Sequence, residues 1–260
     1  MKSAVLIGLF ILFSASDGSA QNDSILKIES LENVNINSTN TKESFFSRAW
    51  LPVGLSIISV DLMRDSTKYG LQRLARSFVA DTFRTHVDDY IHYAPIIMMY
   101  TADLFKVPAK NTVWNQTKYL IMSEAITSGI VWGLKLGLGI QRPNNGAYTA
   151  YPSGHTSQAF VQSQVLYNEF RETAPLLAAS GHLFAITTGA LRVLNNRHWV
   201  PDVLMGAGIG ILVTNLIYHY EPLKNWNPFQ KKRTNVNQLD LSFTPSLNSN
   251  YVGGQFRIRL

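Results

Sequence analysis

A chain of 260 residues is long enough to bury one substantial core, and the absence of cysteine excludes disulfides and thiolate chemistry. The net charge of +6 suits an anionic substrate or an anionic lipid surface, but no basic run interleaved with aromatics is present, which argues against nucleic acid.

In chain order, Lys2 precedes an apolar run over residues 4–13, followed by small residues and Gly18-x-Ala20. This is the layout of a cleaved secretory signal, so residues 1–20 are set apart from the fold and the mature chain is expected to begin at Gln21. Residues 21–43 are polar, rich in Asn, Ser and Thr, and without periodicity, as in a flexible leader. Apolar stretches then recur at 50–62, 90–105, 119–140, 154–170, 175–194 and 201–220. Most exceed strand length and lack strand alternation, so residues 44–230 are read as an all-α multi-helix bundle, with Pro175 and Pro201 in first-turn positions.

The tail, residues 231–260, differs. Leu239, Leu241 and Phe243 alternate with polar residues, as do Phe256, Ile258 and Leu260, on either side of a turn-like stretch at 246–250. A C-terminal β-hairpin is predicted. Charge-free runs at 174–191 and 203–220 are each just long enough to span a bilayer, yet mean hydropathy is 0.00 and other predicted helices carry Asp103, Glu124 and Lys135. The sequence therefore points to an exported protein of the periplasm or cell envelope, in contact with a membrane surface.

Three short motifs carry the chemistry: Lys135-x6-Arg142-Pro143, Pro152-Ser153-Gly154-His155 and Arg192-x5-His198-x3-Asp202. Two cations seven residues apart lie two helical turns apart, so a helix running up to Pro143 would place Lys135 and Arg142 on one face, where both could hold one anion. Pro152-Ser153-Gly154 reads as a turn into a helix whose free amides, at Ser153 and Gly154, suit phosphate oxygens. Asp202 lies close enough to His198 to accept its Nδ1 proton and leave Nε2 with a free lone pair. Taken singly, each motif has a plain structural explanation: a snorkelling lysine, a helix start, a first-turn acid. Their joint occurrence in this order does not.

The three motifs together resemble the type 2 phosphatidic acid phosphatase superfamily, which also contains bacterial class A acid phosphatases, glucose-6-phosphatase and vanadium haloperoxidases. The likeness covers the stretch from Lys135 to Gly208 and departs at Leu191-Arg192, where the family has Ser-Arg; the missing neutral donor is a loss of about 1 kcal/mol. The resemblance implies that His198 attacks phosphorus, Asp202 orients it, and His155 protonates the leaving oxygen and then activates water. Lys135, Arg142, Arg192 and the amides around Ser153 and Gly154 would compensate charge on the phosphoryl oxygens. It implies no metal and no cofactor, with vanadate as an inhibitor. The expected substrate is a lipid-linked phosphate such as phosphatidic acid, a prenyl pyrophosphate or lipid A. Two alternatives stay open at this point: a vanadium-dependent haloperoxidase built on the same pocket, and a non-catalytic envelope protein that keeps an anion pocket. Tyr148, Tyr151 and Trp199 are expected at the mouth of the site, Asp88-Asp89 are read as capping the apolar segment that follows rather than as a cation site, and the other histidines are assigned no role.

Overall fold

The computed structural model describes residues 45–228 and the backbone of 240–248 and 251–259. The signal, the leader and the Lys231-Lys232-Arg233 cluster lie outside the described residues. Helices run in the order α1 (Phe45–Leu62), α2 (Asp65–Arg76), α3 (Asp88–Ile91), α4 (Ala94–Leu104), α5 (Val113–Leu138), α6 (Gly154–Phe170), α7 (Pro175–Leu194) and α8 (Val200–Tyr220), followed by strands β1 (Asp240–Asn248) and β2 (Tyr251–Arg259). The strands pair antiparallel with Leu241 opposite Ile258 and Phe243 opposite Phe256. The pairing continues to Asn248 and Tyr251, so residues 246–248 of the predicted turn belong to the strand.

Helix α6 is the axis of the bundle, packed against α4, α5, α7 and α8, while α1 covers the other side of α8. Only Gly154, His155, Gln158 and Tyr167 of α6 escape full burial, and the first three of these line one cavity. A helix buried nearly all round has little amphipathic signature, and its interior polar groups must find partners. Several do: Gln164 bonds Asn215 and His182, and Glu169 accepts from Tyr218 and Asn111, whereas Gln162 Oε1 and Asn168 Nδ2 have no partner among the described residues. Beside these groups a core of Met99, Tyr119, Leu120, Val165, Leu166, Phe170 and Ile217 fills the C-terminal half of α6, leaving its N-terminal end for the site.

Close approach of α6 and α8 depends on glycine. A β-carbon at Gly206 would come within 2.6 Å of the Ser153 carbonyl oxygen, and one at Gly210 within 2.6 Å of the Ser157 carbonyl oxygen. Gly206→Ala and Gly210→Ala are each expected to lower stability by about 1–3 kcal/mol through overpacking against backbone. Gly129→Ala in α5, where nothing lies within 4 Å of the new methyl, is expected to be neutral or stabilising. Thermal unfolding of the three variants in one detergent checks the contrast.

Helix α2 was not foreseen. Its apolar residues are few, but an acid in its first turn and Arg73 and Arg76 in its last match the helix dipole. It serves the end of α7: Gln72 Nε2 donates to the Val193 carbonyl at 3.1 Å and to Asn196 Oδ1 at 2.8 Å, and Arg76 Nη1 donates to the Leu194 carbonyl at 2.6 Å. Among the described residues three helices, α1, α7 and α8, are long and apolar enough to cross a membrane. Of these, α1 was not among the sequence candidates, and it leaves Phe46, Trp50, Ile57 and Val60 mostly exposed.

Candidate active site

The turn between α7 and α8 builds the centre of the site. Asn196 takes the left-handed conformation (φ 58°), which asparagine tolerates better than most residues. The chain thereby doubles back, and the amides of Arg197 and His198 both donate to the Arg192 carbonyl, at 3.1 and 3.3 Å. The His198 ring is 1% exposed. Its Nδ1 lies 2.7 Å from the Ala150 carbonyl oxygen and 3.2 Å from Asp202 Oδ2. Both partners are acceptors, so Nδ1 carries the proton and Nε2 keeps its lone pair. Burial, reinforced by the charges of Arg192, Lys135 and Arg142, holds the His198 pKa well below the ordinary histidine value, against the opposing Ala150 bond. The ring is therefore neutral across the physiological range. Asp202 Oδ2 also accepts from the Trp199 amide at 2.8 Å, which fixes the carboxylate at the start of α8.

His198 lines a cavity of about 260 Å³ together with Lys135, Arg142, Arg192, Gly154 and His155. The route by which Lys135 and Arg142 meet differs from the one expected. Helix α5 ends at Leu138 and is capped by Gly139 in the left-handed conformation (φ 54°), so Arg142 sits in a loop rather than on the helix face of Lys135. Pro143 also disfavours helix at Arg142. Lys135 Nζ donates to the Thr149 carbonyl at 2.6 Å, which ties α5 to the far end of that loop. Arg142 Nε and Arg192 Nε are buried without a hydrogen-bond partner among the described residues. Unused guanidinium donors beside a cavity fit an anion.

The N-terminus of α6 faces this cavity through Gly154 and His155. Ser153 does not. It is fully buried, its amide donates to the Asp202 carbonyl at 2.9 Å, and its hydroxyl pairs with Thr156 Oγ1 at 2.9 Å. The Ser153 amide is thus removed from the phosphate-binding set: it locks the start of α6 to the start of α8, leaving the amides that follow it to face an anion.

Sequence reasoning missed an acidic wall. Asp88, fully buried on α3, accepts from Arg192 Nη1 at 2.7 Å and from Asn195 Nδ2 at 2.9 Å. Asp89 Oδ1 lies 3.2 Å from Arg192 Nη1, 3.3 Å from Arg197 Nη1 and 3.3 Å from His155 Nε2. His86 Nδ1 approaches Asp89 Oδ2 at 3.3 Å, and the His92 ring stands edge-on to His155 with centroids 5.0 Å apart. The doublet Asp88-Asp89 flanked by His86 and His92 was the available signal; its distance in sequence from the other motifs hid it. Burial, the charge of Arg192 and the nearby His92 lower the His155 pKa to about 4 against the pull of Asp89 and Asp88.

The expected mouth aromatics are also corrected. Tyr151 is 4% exposed and pairs with Ser59 Oγ, while Trp199 is 5% exposed and donates to the Gln141 carbonyl. Both are structural, because each ring has its polar edge satisfied inside the protein. Tyr148 is exposed but is not among the residues lining the cavity. The apolar wall is instead Val131 and Trp132 of α5, with Trp132 58% exposed and one turn before Lys135.

A model of the PAP2 superfamily matches residues 49–226, a span that takes in every helix carrying a residue of this cavity. The chain belongs to the PAP2 superfamily. It is similar to a lipid A 1-phosphatase of Porphyromonas gingivalis, 28% identical over 191 residues, which covers 66% of this chain and 42% of that protein. This chain therefore spans less than half the length of that relative. Among solved structures, Aquifex aeolicus LpxE aligns with a TM-score of 0.45 at 21% identity, over 59% of this chain and 94% of the other. A transmembrane PAP2 type phosphatidylglycerolphosphate phosphatase from Bacillus subtilis aligns with a TM-score of 0.48 at 15% identity, over 70% and 100%.

Proposed function

We propose that this PAP2 protein is a phosphatase that removes phosphate from a lipid-linked substrate through a phosphohistidine at His198, without a metal or cofactor. One observation carries the reading. His198 Nδ1 is committed to two acceptors, so Nε2 is the nucleophilic nitrogen, in a cavity shared with three cations. In-line attack needs a neutral imidazole held rigid and charge compensation on the phosphoryl oxygens, and Lys135, Arg142, Arg192 and the α6 amides supply the second. As the His198 nitrogen bonds to phosphorus, His155 gives its proton to the departing oxygen; it then takes a proton from the water that breaks the phosphorus–nitrogen bond. Vanadate, a phosphate analogue, would occupy the same groups and inhibit.

The lipid part of the proposal is supported by the apolar wall at Val131 and Trp132 and by the spanning length of α1, α7 and α8, with the lipid A 1-phosphatase as a relative. Exposed apolar rows on α1 and α5 suit a bilayer rather than water, which supports a membrane-associated protein of the cell envelope with its site at the membrane surface. Phosphate release by purified protein in detergent, with a chelator present, from phosphatidic acid, a prenyl pyrophosphate, lipid A and a sugar phosphate tests both parts. Activity that depends on an added divalent ion overturns the mechanism; equal efficiency on lipid and sugar phosphates overturns the substrate class. Trp132→Ala is expected to lower kcat/KM on the preferred lipid by about tenfold and to leave the sugar phosphate unaffected.

The pH dependence follows from the two histidines. The reactive form needs His198 neutral and His155 charged. His198 loses its proton well below the usual histidine range, and His155 in the free enzyme is charged only below about 4. The profile of kcat/KM is therefore expected to be bell-shaped with an acidic optimum and to fall as pH rises. A bound phosphate dianion favours the imidazolium, so the falling limb of kcat should lie at higher pH than that of kcat/KM. A rate that rises steadily into the alkaline range would contradict this assignment.

A further inference from the structure

His198 is held by a carboxylate, and the geometry provides His155 with one of its own. We propose that Asp89 is the positioning carboxylate of the general acid, holding the His155 ring through its Nε2 proton so that Nδ1 is the nitrogen presented to the leaving oxygen. The inference rests on the reading of His155 given above. Asp89 Oδ1 stands 3.3 Å from His155 Nε2, and His155 is a cavity residue. The carboxylate is itself fixed from three directions: Arg192 on α7, Arg197 in the α7–α8 turn, and His86 just before α3. The edge-on His92 ring sets the plane of His155 from another side, and His92 is anchored through Nδ1 to the Asp88 carbonyl.

The neighbouring acid has a different task. Asp88 is fully buried and committed to Arg192 and Asn195, whereas Asp89 is 30% exposed at the side chain and is the carboxylate in contact with His155. Burial raises the Asp89 pKa, but the His86 hydrogen bond and the charges of Arg197, Arg192 and His155 outweigh it and keep the group ionised.

The proton count closes over both steps. Charged His155 carries protons on both nitrogens. The Nδ1 proton moves to the leaving oxygen as the phosphorus–oxygen bond breaks and the bond from His198 Nε2 to phosphorus forms, which leaves neutral His155 with its remaining proton on Nε2, facing Asp89. In the second step Nδ1 takes a proton from water as the new phosphorus–oxygen bond forms and the phosphorus–nitrogen bond breaks. Without Asp89 the neutral ring could carry its proton on either nitrogen, and the imidazolium would lose its nearest counter-charge. Among the described residues the other titratable groups acting on His155 are Arg192, His92 and Asp88, and of these Asp88 supports the charged form.

The test compares esters that differ in leaving group. An alkyl phosphate needs a proton on its departing oxygen, whereas p-nitrophenyl phosphate needs much less. With the full chain in detergent, Asp89→Asn is expected to lower kcat/KM by about 10- to 100-fold on a long-chain alkyl phosphate and by about threefold at most on p-nitrophenyl phosphate. It should move the falling limb of the pH profile to lower pH, and Asp89→Glu should restore part of both. Equal losses on the two esters with an unmoved pH limb would reduce Asp89 to a structural acid. A gain in activity would make it an internal plug of the anion pocket, which also overturns the proposal. His155→Ala, run alongside, separates the two levels. If it discriminates between the esters and Asp89→Asn does not, only the positioning role fails; if His155→Ala does not discriminate either, the acid assignment fails with it.

Discussion

Replacing His198 with alanine is expected to remove turnover by about four to six orders of magnitude while the bundle still folds. The size of the loss follows from covalent catalysis: without the nucleophile the remaining cations and amides bind phosphate but have nothing to transfer it to. A phosphorylated protein should be trapped by rapid alkaline quenching of wild type and be absent from His198→Ala. Asp202→Asn is expected to be milder. The Ala150 carbonyl, at 2.7 Å the shorter of the two contacts to Nδ1, still selects the correct tautomer, so what is lost is mainly stabilisation of the charge that grows on the ring. A loss of about 100- to 1000-fold is consistent with that division. Should His198→Ala retain most of the wild-type rate, another group is the nucleophile; should Asp202→Asn match His198→Ala, the Ala150 carbonyl is not holding the ring as its distance implies.

What the sequence made legible follows physical locality. The limits of α6 and α7 could be read from their apolar runs, because Pro175 opens one and the Pro-Ser-Gly turn opens the other. The pairing of His198 with Asp202 was legible because four residues span one helical turn. Lys135 and Arg142 do line one cavity, but not by sharing a helix face, since nothing local showed that Gly139 would adopt the left-handed conformation and end α5 early. Ser153 looked like a free helix-start amide, and only the packing of α6 on α8 reveals that the Asp202 carbonyl uses it. Tyr151 and Trp199 sit beside the motifs in sequence, yet their hydroxyl and indole N–H turn inward to Ser59 and Gln141. The acidic wall lay furthest from reach: Asp88 and Asp89 are more than 100 residues from Arg192, and only the docking of α3 on α7 brings them together.

That docking leads to the second large effect. Arg192 is 3% exposed and faces the fully buried Asp88 at 2.7 Å, so Arg192→Met removes a cation of the proposed phosphate site and also strands a buried carboxylate. Breaking a buried pair from one side costs about 3–5 kcal/mol, whereas replacing both partners with neutral groups of similar volume is often close to neutral. Arg192→Met is therefore expected to be severely destabilised. Adding Asp88→Asn should recover most of the stability, because Asn195 Nδ2 can still donate to the remaining carbonyl oxygen at position 88. Activity should not return with it: no other residue replaces the guanidinium beside His198, and loss of one preorganised donor to a phosphoryl transition state is worth about 100-fold or more. Thermal unfolding in detergent and phosphate release, measured on both single variants and the double variant, complete the cycle. Recovery of stability without activity would separate the two tasks of Arg192. Recovery of both would mean that Arg192 serves only to neutralise Asp88, and an unchanged melting temperature in Arg192→Met would mean that the pair contributes nothing to holding α3 against α7.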